Sequence, residues 1–395
     1  MGQGGCFFGG INEPTDMKPK VLVFIDWYTP GYKAGGPVRS VVNMVDHLRD
    51  RIDFHIVTSD TEYTEEKPYA GIVPDQWTIL PGGEKVWYAS TAGTNKGVWK
   101  QLLEEQEWGC VYVNGLYSRW FSIMPLWLLN GSKQHRVVAP RGMLARGMME
   151  HGRFKKRAFL AGMRTFGCYK GAEFQATNAE EAEDIKHWLQ PDSAVHRIPN
   201  LGRKLGTPNA QPSTKVAGEL KLLSVARIAK EKNTLFAVQC LQGLTGSITF
   251  DLYGPIYDED YWRQCQEAIA QLPAHVRVNH QGTVRPQDVP ALMVRYDLLF
   301  MPSQGENFGH TMAEALACGL PLLISDRTPW KGLEAAHAGW DLPLDDPRGF
   351  AKALGTALAM HQPDLAVLRE GALALAARYL AAPDVVERTA RMLIP

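Results

Sequence analysis

Long hydrophobic runs are missing from this 395-residue chain. No uninterrupted apolar stretch approaches the roughly 20 residues that a membrane-spanning helix needs, so no transmembrane helix is expected. Cysteine is scarce: Cys6, Cys110, Cys168, Cys240, Cys265 and Cys318 are scattered, and none forms a C-x-x-C pair. That excludes zinc-ribbon and thioredoxin-type motifs and reads as buried thiols in a reducing cytoplasm. Net charge is absent too, with 42 basic and 42 acidic residues, which argues against a nucleic-acid binder. No G-x-G-x-x-G follows a strand-like run, so the dinucleotide fingerprint is lacking, and no G-x-S-x-G marks a nucleophile elbow. His151, His280 and His310 show no paired metal-ligand spacing, so core or surface roles are expected for them. The opening "MGQGGCFFGGINEPTD" has neither the positive start nor the apolar core of a secretory signal. Gly2 lacks the Ser or Thr at position 6 that acylation favours. Residues 1–16 read as a flexible extension.

What is present is a repeated alternation of short apolar runs and helix-like segments. In the first half the runs are "KVLVFID" (20–26), "DFHIVTS" (53–59), "CVYVNG" (110–115), "RVVAP" (136–140), "EFQAT" (173–177) and "AVHRIPN" (194–200). Val38, Val41, Val42, Val45 and Leu48 recur at helical spacing behind Pro37. A Gly/Pro/Ser/Thr-rich stretch at 201–218 reads as a linker. The pattern then restarts with "ELKLLSVAR" (219–227), a helix around 233–243, "SITFDLYG" (247–254), a helix near 258–272, "HVRVNHQG" (275–282), "DLLFMPS" (297–303) and "PLLIS" (321–325). Continuous apolar strands joined by helices imply parallel sheets buried on both faces. The expected architecture is α/β: two Rossmann-like, doubly wound domains, 17–200 and 219–382, facing each other across a cleft. A helix at 383–395 is free to pack on either domain.

Ligands of such sheets sit beyond the carboxyl ends of the strands, and the polar motifs collect there. "PSQGENFGHTMAEALACGLP" places Glu306 in a loop after an apolar strand and Glu314 about one turn inside the following helix. Gly309 stands at the helix start, where unpaired N–H groups favour an anion such as phosphate. A carboxylate beside a phosphate would repel it. Two carboxylates set away from it can instead accept hydrogen bonds from a hydroxyl-rich group on each side of a diphosphate. Paired glutamates at this spacing are common in helices by chance; the strand, glycine loop and helix around them set this pair apart. In "SVARIAKEKN", Arg227 follows a strand and Lys232 begins a helix, so both can neutralise a diphosphate.

Arg227 and Lys232, followed by the glutamates of "ENFGHTMAEALACGLP", resemble the donor domain of the retaining family 4 glycosyltransferases. The resemblance runs from about Ser224 to Trp330, and more loosely over 18–390. It implies the GT-B fold and transfer of a sugar from a UDP-sugar or GDP-sugar, with no cofactor and no divalent metal for the chemistry. It also implies roles. Arg227 and Lys232 would hold the donor diphosphate and Glu306 would orient the transferred sugar. The backbone of Asn307, Phe308 and Gly309 would contact sugar and phosphate, and Glu314 would bind the ribose. Gly282, Thr283 and Val284 would lie near the base. In the amino half, Gly35 and Gly36 of "YTPGYKAGGPVRS" would face the phosphates; without the resemblance they read equally well as a turn before a helix. Arg141 of "APRGML" stands near the cleft in a region where many relatives carry a histidine.

One further segment stands out. Between 133 and 170 there are ten Lys or Arg against one acid, Glu150. Arg153, Lys155, Lys156 and Arg157 form its densest patch, interleaved with Met and aromatic residues. A solvated basic helix face accounts for such a run. So does contact with an anionic membrane surface or a phosphorylated acceptor, and acceptors of similar enzymes are often lipid-linked. A glycan or lipid-linked acceptor is therefore expected, with the protein in the cytoplasm and peripheral on the inner face of the membrane. Asp258 and Asp260 in "YDEDYW" read as an acidic helix start rather than a metal-binding D-x-D. Two other classes fit the same features: a GT-B nucleotide-sugar epimerase, and a non-catalytic nucleotide-sugar-binding subunit.

Overall fold

The computed structural model describes residues 18–145, 149, 153–204, 213–380 and 383–395. The 1–16 extension, residues 205–212 of the linker, Arg146, Glu150 and His151 lie outside the described residues.

The first domain is built on strands β1 (Lys20–Phe24), β2 (Asp53–Ser59), β3 (Trp77–Ile79), β4 (Lys85–Ala89), β5 (Cys110–Asn114), β6 (Arg136–Ala139), β7 (Glu173–Ala176) and β8 (Val195–Arg197). Their spatial order is β3-β4-β2-β1-β5-β6-β7-β8. All neighbours are parallel except β3 and β4. The second sheet holds β9 (Glu219–Val225), β10 (Ser247–Tyr253), β11 (Val276–His280), β12 (Leu298–Met301), β13 (Leu322–Ser325) and β14 (Gly339–Leu342), in the order β11-β10-β9-β12-β13-β14, parallel throughout. This is the GT-B arrangement of two Rossmann-like sheets.

Both sheets are covered on both faces, as the continuous apolar strands require. Successive residues of β1 alternate between two cores: Leu22 and Phe24 join one, Val21 and Val23 the other. In β9, Leu220 and Leu222 enter one core while Leu223 and Val225 enter the other. Each fully buried Leu, Ile or Phe contributes about 1.5–3 kcal/mol.

Strands β3, β4 and β14 have no counterpart among the sequence expectations. β3 and β14 are short edge strands, and β4 carries the half-buried Lys85 and Trp87, so none makes a long apolar run. The helix expected around 233–243 is found, shorter, at Thr234–Gln239, and a 3-10 turn, Lys230–Lys232, precedes it. Asn233 between them adopts φ +60° and resets the chain direction. Lys232 thus sits in the 3-10 turn, not at an α-helix start.

The described ends of the linker are held. Leu201 O and Gly202 O accept from Asn43 Nδ2 and His47 Nε2, each at 2.9 Å. On the other side Ser213 donates its N–H to Val294 O at 2.9 Å and its hydroxyl to Asp297 at 2.8 Å. The helix Pro383–Leu393 returns to the first domain. Its Ala390, Met392 and Leu393 are buried among Val21, Val23, Ile52 and Val137, and Arg51 pairs with Glu387 at 2.8 Å.

Candidate functional site

Strand order reverses between β1 and β5 in the first sheet and between β9 and β12 in the second. Chains leaving neighbouring strands at such a point diverge and open a crevice. The polar candidates leave from these strands: Asp26, Gly35 and Gly36 after β1, Asn114 at the end of β5, Arg227 after β9, and residues 302–309 after β12.

Loop 302–309 is anchored by its neighbours. Gln304 N–H donates to Glu231 O at 2.8 Å, Glu306 N–H to Arg327 O at 3.1 Å, and Trp330 Nε1–H to Phe308 O at 2.8 Å. Gly309 then turns the chain into helix His310–Ala317 with φ +74°, a conformation that strains residues with a side chain. A Cβ there would also press on Met312 Sδ and the Trp330 ring, 3.0 and 3.2 Å away. Ala313 N–H makes the first helical bond, to Gly309 O at 3.0 Å. The N–H groups of His310, Thr311 and Met312 lie ahead of that ladder, where an anion is favoured.

Lys232 Nζ lies 2.6 Å from Glu306 Oε1, with only 18% and 12% of the side chains exposed. The two expected donor residues neutralise each other. Arg227 is not part of that contact. Its Nε–H donates to Glu231 Oε1 at 2.8 Å and its guanidinium lies over the Tyr257 ring at 5.1 Å. Tyr257 in turn stacks on Tyr63 of the first domain, with centroids 5.3 Å apart. Gly282 ends its turn at φ +72°, its carbonyl accepting from Gly254 N–H at 2.7 Å. Thr283 is exposed and Val284 packs on the core that includes Val225. No described hydrogen bond joins these three residues to Glu306 or Glu314.

The first domain grips both ends of the 306–314 segment through residues that the sequence expectations passed over. Thr177 Oγ1 lies 2.8 Å from the Asn307 side-chain amide, and Asn178 Nδ2 reaches Asn307 O at 3.3 Å. Buried Glu181 sets this up: one oxygen accepts Thr177 N–H and hydroxyl at 2.7 Å, the other Gly142 N–H at 2.6 Å. At the far end, Arg39 Nη1 donates to Glu314 Oε2 at 2.9 Å, and Ser40 Oγ lies 2.8 Å from His310 Nε2. Arg39 and Ser40 follow Gly35 and Gly36 on helix Gly36–Leu48. The glycine loop before it is pinned by buried Glu62, which accepts Tyr32 N–H at 2.8 Å. Gly35 has φ +76° and nothing against a would-be Cβ, while one on Gly36 would sit 3.8 Å from the His310 ring. The sequence signal for Arg39 was its place one helical turn past a glycine pair; for Asn178, a capping residue directly after a strand.

Of the two roles expected for His310, core or surface, the structure gives it the buried one. It is buried in the domain interface, its ring 4.7 Å from that of Phe308. Burial, with Arg39 and Arg141 nearby, pushes its pKa well below the ordinary value of 6.5. The Ser40 hydroxyl donates to Gly36 O at 3.0 Å, which leaves its lone pair to accept Nε2–H from a neutral imidazole.

Arg141 has φ +58°. Its Nε–H donates to Asn114 Oδ1 at 2.8 Å, and its other nitrogens reach Asn200 and Tyr112. None of these partners is an acid, so the charge is held by neutral dipoles at the crevice edge. Asp26 lies on the same edge; burial raises its pKa, and it accepts a hydrogen bond from Ser118. Asp258, by contrast, caps helix Glu259–Ala270 through Tyr261 N–H, and the described residues contain no group of His, Cys, Asp or Glu able to hold a metal.

The basic patch lies on helix Arg153–Thr165. Lys155 and Arg157 are exposed; Lys156 Nζ lies 5.8 Å from the Tyr117 ring and the Arg157 guanidinium 5.0 Å from that of Trp188. No described contact links the patch to loop 302–309. No helix among the described residues is long and apolar enough to cross a membrane.

No curated protein matches the sequence. The chain is similar in structure to sucrose-phosphate synthase from Thermosynechococcus elongatus, with TM-score 0.69 and 15% identity over 95% of this chain and 98% of that one. It is similar to HepE from Anabaena, solved with UDP and glucose, at TM-score 0.68 and 15% identity over 95% and 99% of the two chains. A third is TarM from S. aureus, solved with UDP, at TM-score 0.67 and 11% identity over 96% and 100%. Residues 207–366 match the family model of glycosyl transferases group 1. The domain that carries Arg227, Lys232, Glu306 and Glu314 thus bears the signature of group 1 glycosyl transferases, on a chain with the GT-B fold.

Proposed function

We propose that the protein is a retaining glycosyltransferase of family 4 that moves a sugar from a nucleoside diphosphate donor to an acceptor hydroxyl. One observation carries the reading: within the matched segment, Glu306 and Glu314 flank an anion-ready helix start at the strand-order reversal, with Lys232 against Glu306. HepE and TarM were solved with UDP, so UDP-sugars are the first donors to test, GDP-sugars the second.

In this reading the diphosphate lies on the helix start at His310, between Lys232 and Arg227 of its own domain and the Gly35–Gly36 turn of the other. Glu306 and the Asn307–Gly309 backbone orient the transferred sugar, Glu314 takes the ribose, and residues 282–284 face the base. Lys232 exchanges Glu306 for a phosphate oxygen as the donor enters, which frees the Glu306 carboxylate for sugar hydroxyls. The bond from anomeric carbon to phosphate oxygen breaks, with its electrons going to the diphosphate. The acceptor oxygen bonds to the same face, and its proton passes to the departing phosphate. Positive charge aimed at the leaving group lowers the barrier, so the step needs no divalent cation. Arg141 contributes at the acceptor side of the crevice.

The acceptor belongs to lipid-linked glycan or surface-polysaccharide assembly. Helix Arg153–Thr165 supports this: Phe154 is 86% exposed beside exposed Lys155 and Arg157, and Phe166 and Trp127 stand exposed nearby. Such a face suits docking on the inner, anionic leaflet of the cytoplasmic membrane. Failure to sediment with anionic vesicles would remove this part of the reading.

Donor binding is tested by thermal shift, because a ligand of the native state raises its melting temperature. Lys232→Ala and Glu306→Gln should lose about a hundredfold or more of transfer rate while melting near the parent temperature. Full activity in either variant sinks the site assignment. Donor incubated without acceptor should be recovered intact or slowly hydrolysed; an altered sugar would make the protein an epimerase.

A further inference from the structure

Arg39 stands three residues beyond Gly36, on the turn of helix Gly36–Leu48 whose start abuts His310. Its pair with Glu314 crosses the crevice, and the two side chains are only 21% and 5% exposed. The contact leaves capacity on both partners. A guanidinium has five N–H donors in a planar fork, and the bond to Glu314 uses one, on Nη1. No further partner of Arg39 is present among the described residues. Glu314 gives the bond one oxygen, Oε2. Its Oε1 has no hydrogen-bond partner among the described residues. A partly buried pair of this kind contributes little net stability once desolvation is counted. The same guanidinium is close enough to His310 to depress its titration. It therefore lies within electrostatic reach of the helix start that presents the N–H groups of His310, Thr311 and Met312.

We infer that Arg39 is a donor-contacting residue supplied by the opposite domain: Nη1 fixes the Glu314 carboxylate, and the remaining N–H groups take an oxygen of the donor diphosphate at the His310 helix start. The inference rests on the nucleotide-sugar reading. It assigns to Arg39 the junction between ribose and diphosphate, with Glu314 Oε1 left for a ribose hydroxyl. Since Arg39 sits on one domain and Glu314 on the other, seating a donor and holding the domains together become one event.

The test compares a nucleoside diphosphate with its parent nucleoside. UDP and uridine, and GDP and guanosine, are titrated into the wild type, Arg39→Ala, Arg39→Lys and the uncharged Arg39→Gln. Calorimetry serves the diphosphates and saturation-transfer NMR the nucleosides. Arg39→Ala and Arg39→Gln should weaken diphosphate binding about tenfold or more, the scale of one lost charge-assisted hydrogen bond. Nucleoside binding should change less than about threefold, because Glu314 remains. Arg39→Lys should recover part of the loss, as a point charge without the fork. In turnover, donor KM should rise more than kcat falls. Equal losses for nucleoside and diphosphate would mean that Arg39 only positions Glu314, and no loss in either would make the pair a mere clasp; each overturns the inference. A wild type that binds neither UDP nor GDP removes the nucleotide-sugar reading itself. A wild type that binds while the variants match it removes only the role of Arg39. Arg39→Gln keeps the comparison decisive should the alanine variant fail to fold.

Discussion

His310 shows how much one side chain can be asked to do at a domain interface. It opens a helix, fills the space against Gly36 and Phe308, and bonds to Ser40 across the crevice. It does so as a neutral ring, and that has a pH signature. In the unfolded chain it titrates near its ordinary value of 6.5, whereas the folded pKa lies well below. As pH falls through 6.5 the unfolded state binds a proton that the folded state refuses, so stability drops, by at most about 1.4 kcal/mol per pH unit. His310→Gln, which can still donate to Ser40, should lose less stability between pH 7 and 5 than the parent in denaturant titrations. The flattening should be partial, because burial also lowers the pKa of His47 and His55. An unchanged slope would show that His310 does not stay neutral. At this scale the sequence was readable where chemistry is local. The offsets of Glu306, Glu314, Arg227 and Lys232 from strand ends single them out as candidates, and the structure brings Lys232 against Glu306. Arg39 and Thr177 are harder to read, because their partners lie 275 and 130 residues away: the glycine pair before Arg39 is a local signal, but no local pattern names its partner in the other domain.

Among elements, the ones that read clearly are those buried on both faces. β2, β5 and β9 put apolar residues on both faces and are bounded by turn residues, and their ends fall within two residues of the expected limits. β3 and β14 sit at sheet edges, where fewer side chains need be apolar, and so left no legible run. Helix Arg153–Thr165 shows the opposite case, an element whose charge is plain but whose purpose is not. Its exposed Phe154 between basic residues is the arrangement expected of a face that meets lipid headgroups. Replacing Lys155, Lys156 and Arg157 with alanine should weaken sedimentation with anionic vesicles about tenfold or more at low salt, since each basic residue near such a surface contributes about 1 kcal/mol. Phe154→Ser should weaken it further. Arg157 covers Trp188 and Lys156 lies over Tyr117, so a parallel melt separates lost docking from lost packing. Binding that persists in all variants would leave the helix a solvated face.

For the molecule as a whole, the helix Pro383–Leu393 joins the last residues of the chain to the core of the first domain. Leu393 is fully buried there, and Leu393→Ala should cost about 2–4 kcal/mol. By calorimetry the loss should fall on the unfolding of the first domain, although the residue follows the second in sequence. A shift confined to the second domain would contradict this packing. The helix has a further consequence. Because the chain returns, the second domain is tied to the first at both of its ends. A single cut inside the second domain would therefore leave both fragments still anchored on the first, one by the chain itself and the other by the packing of helix Pro383–Leu393.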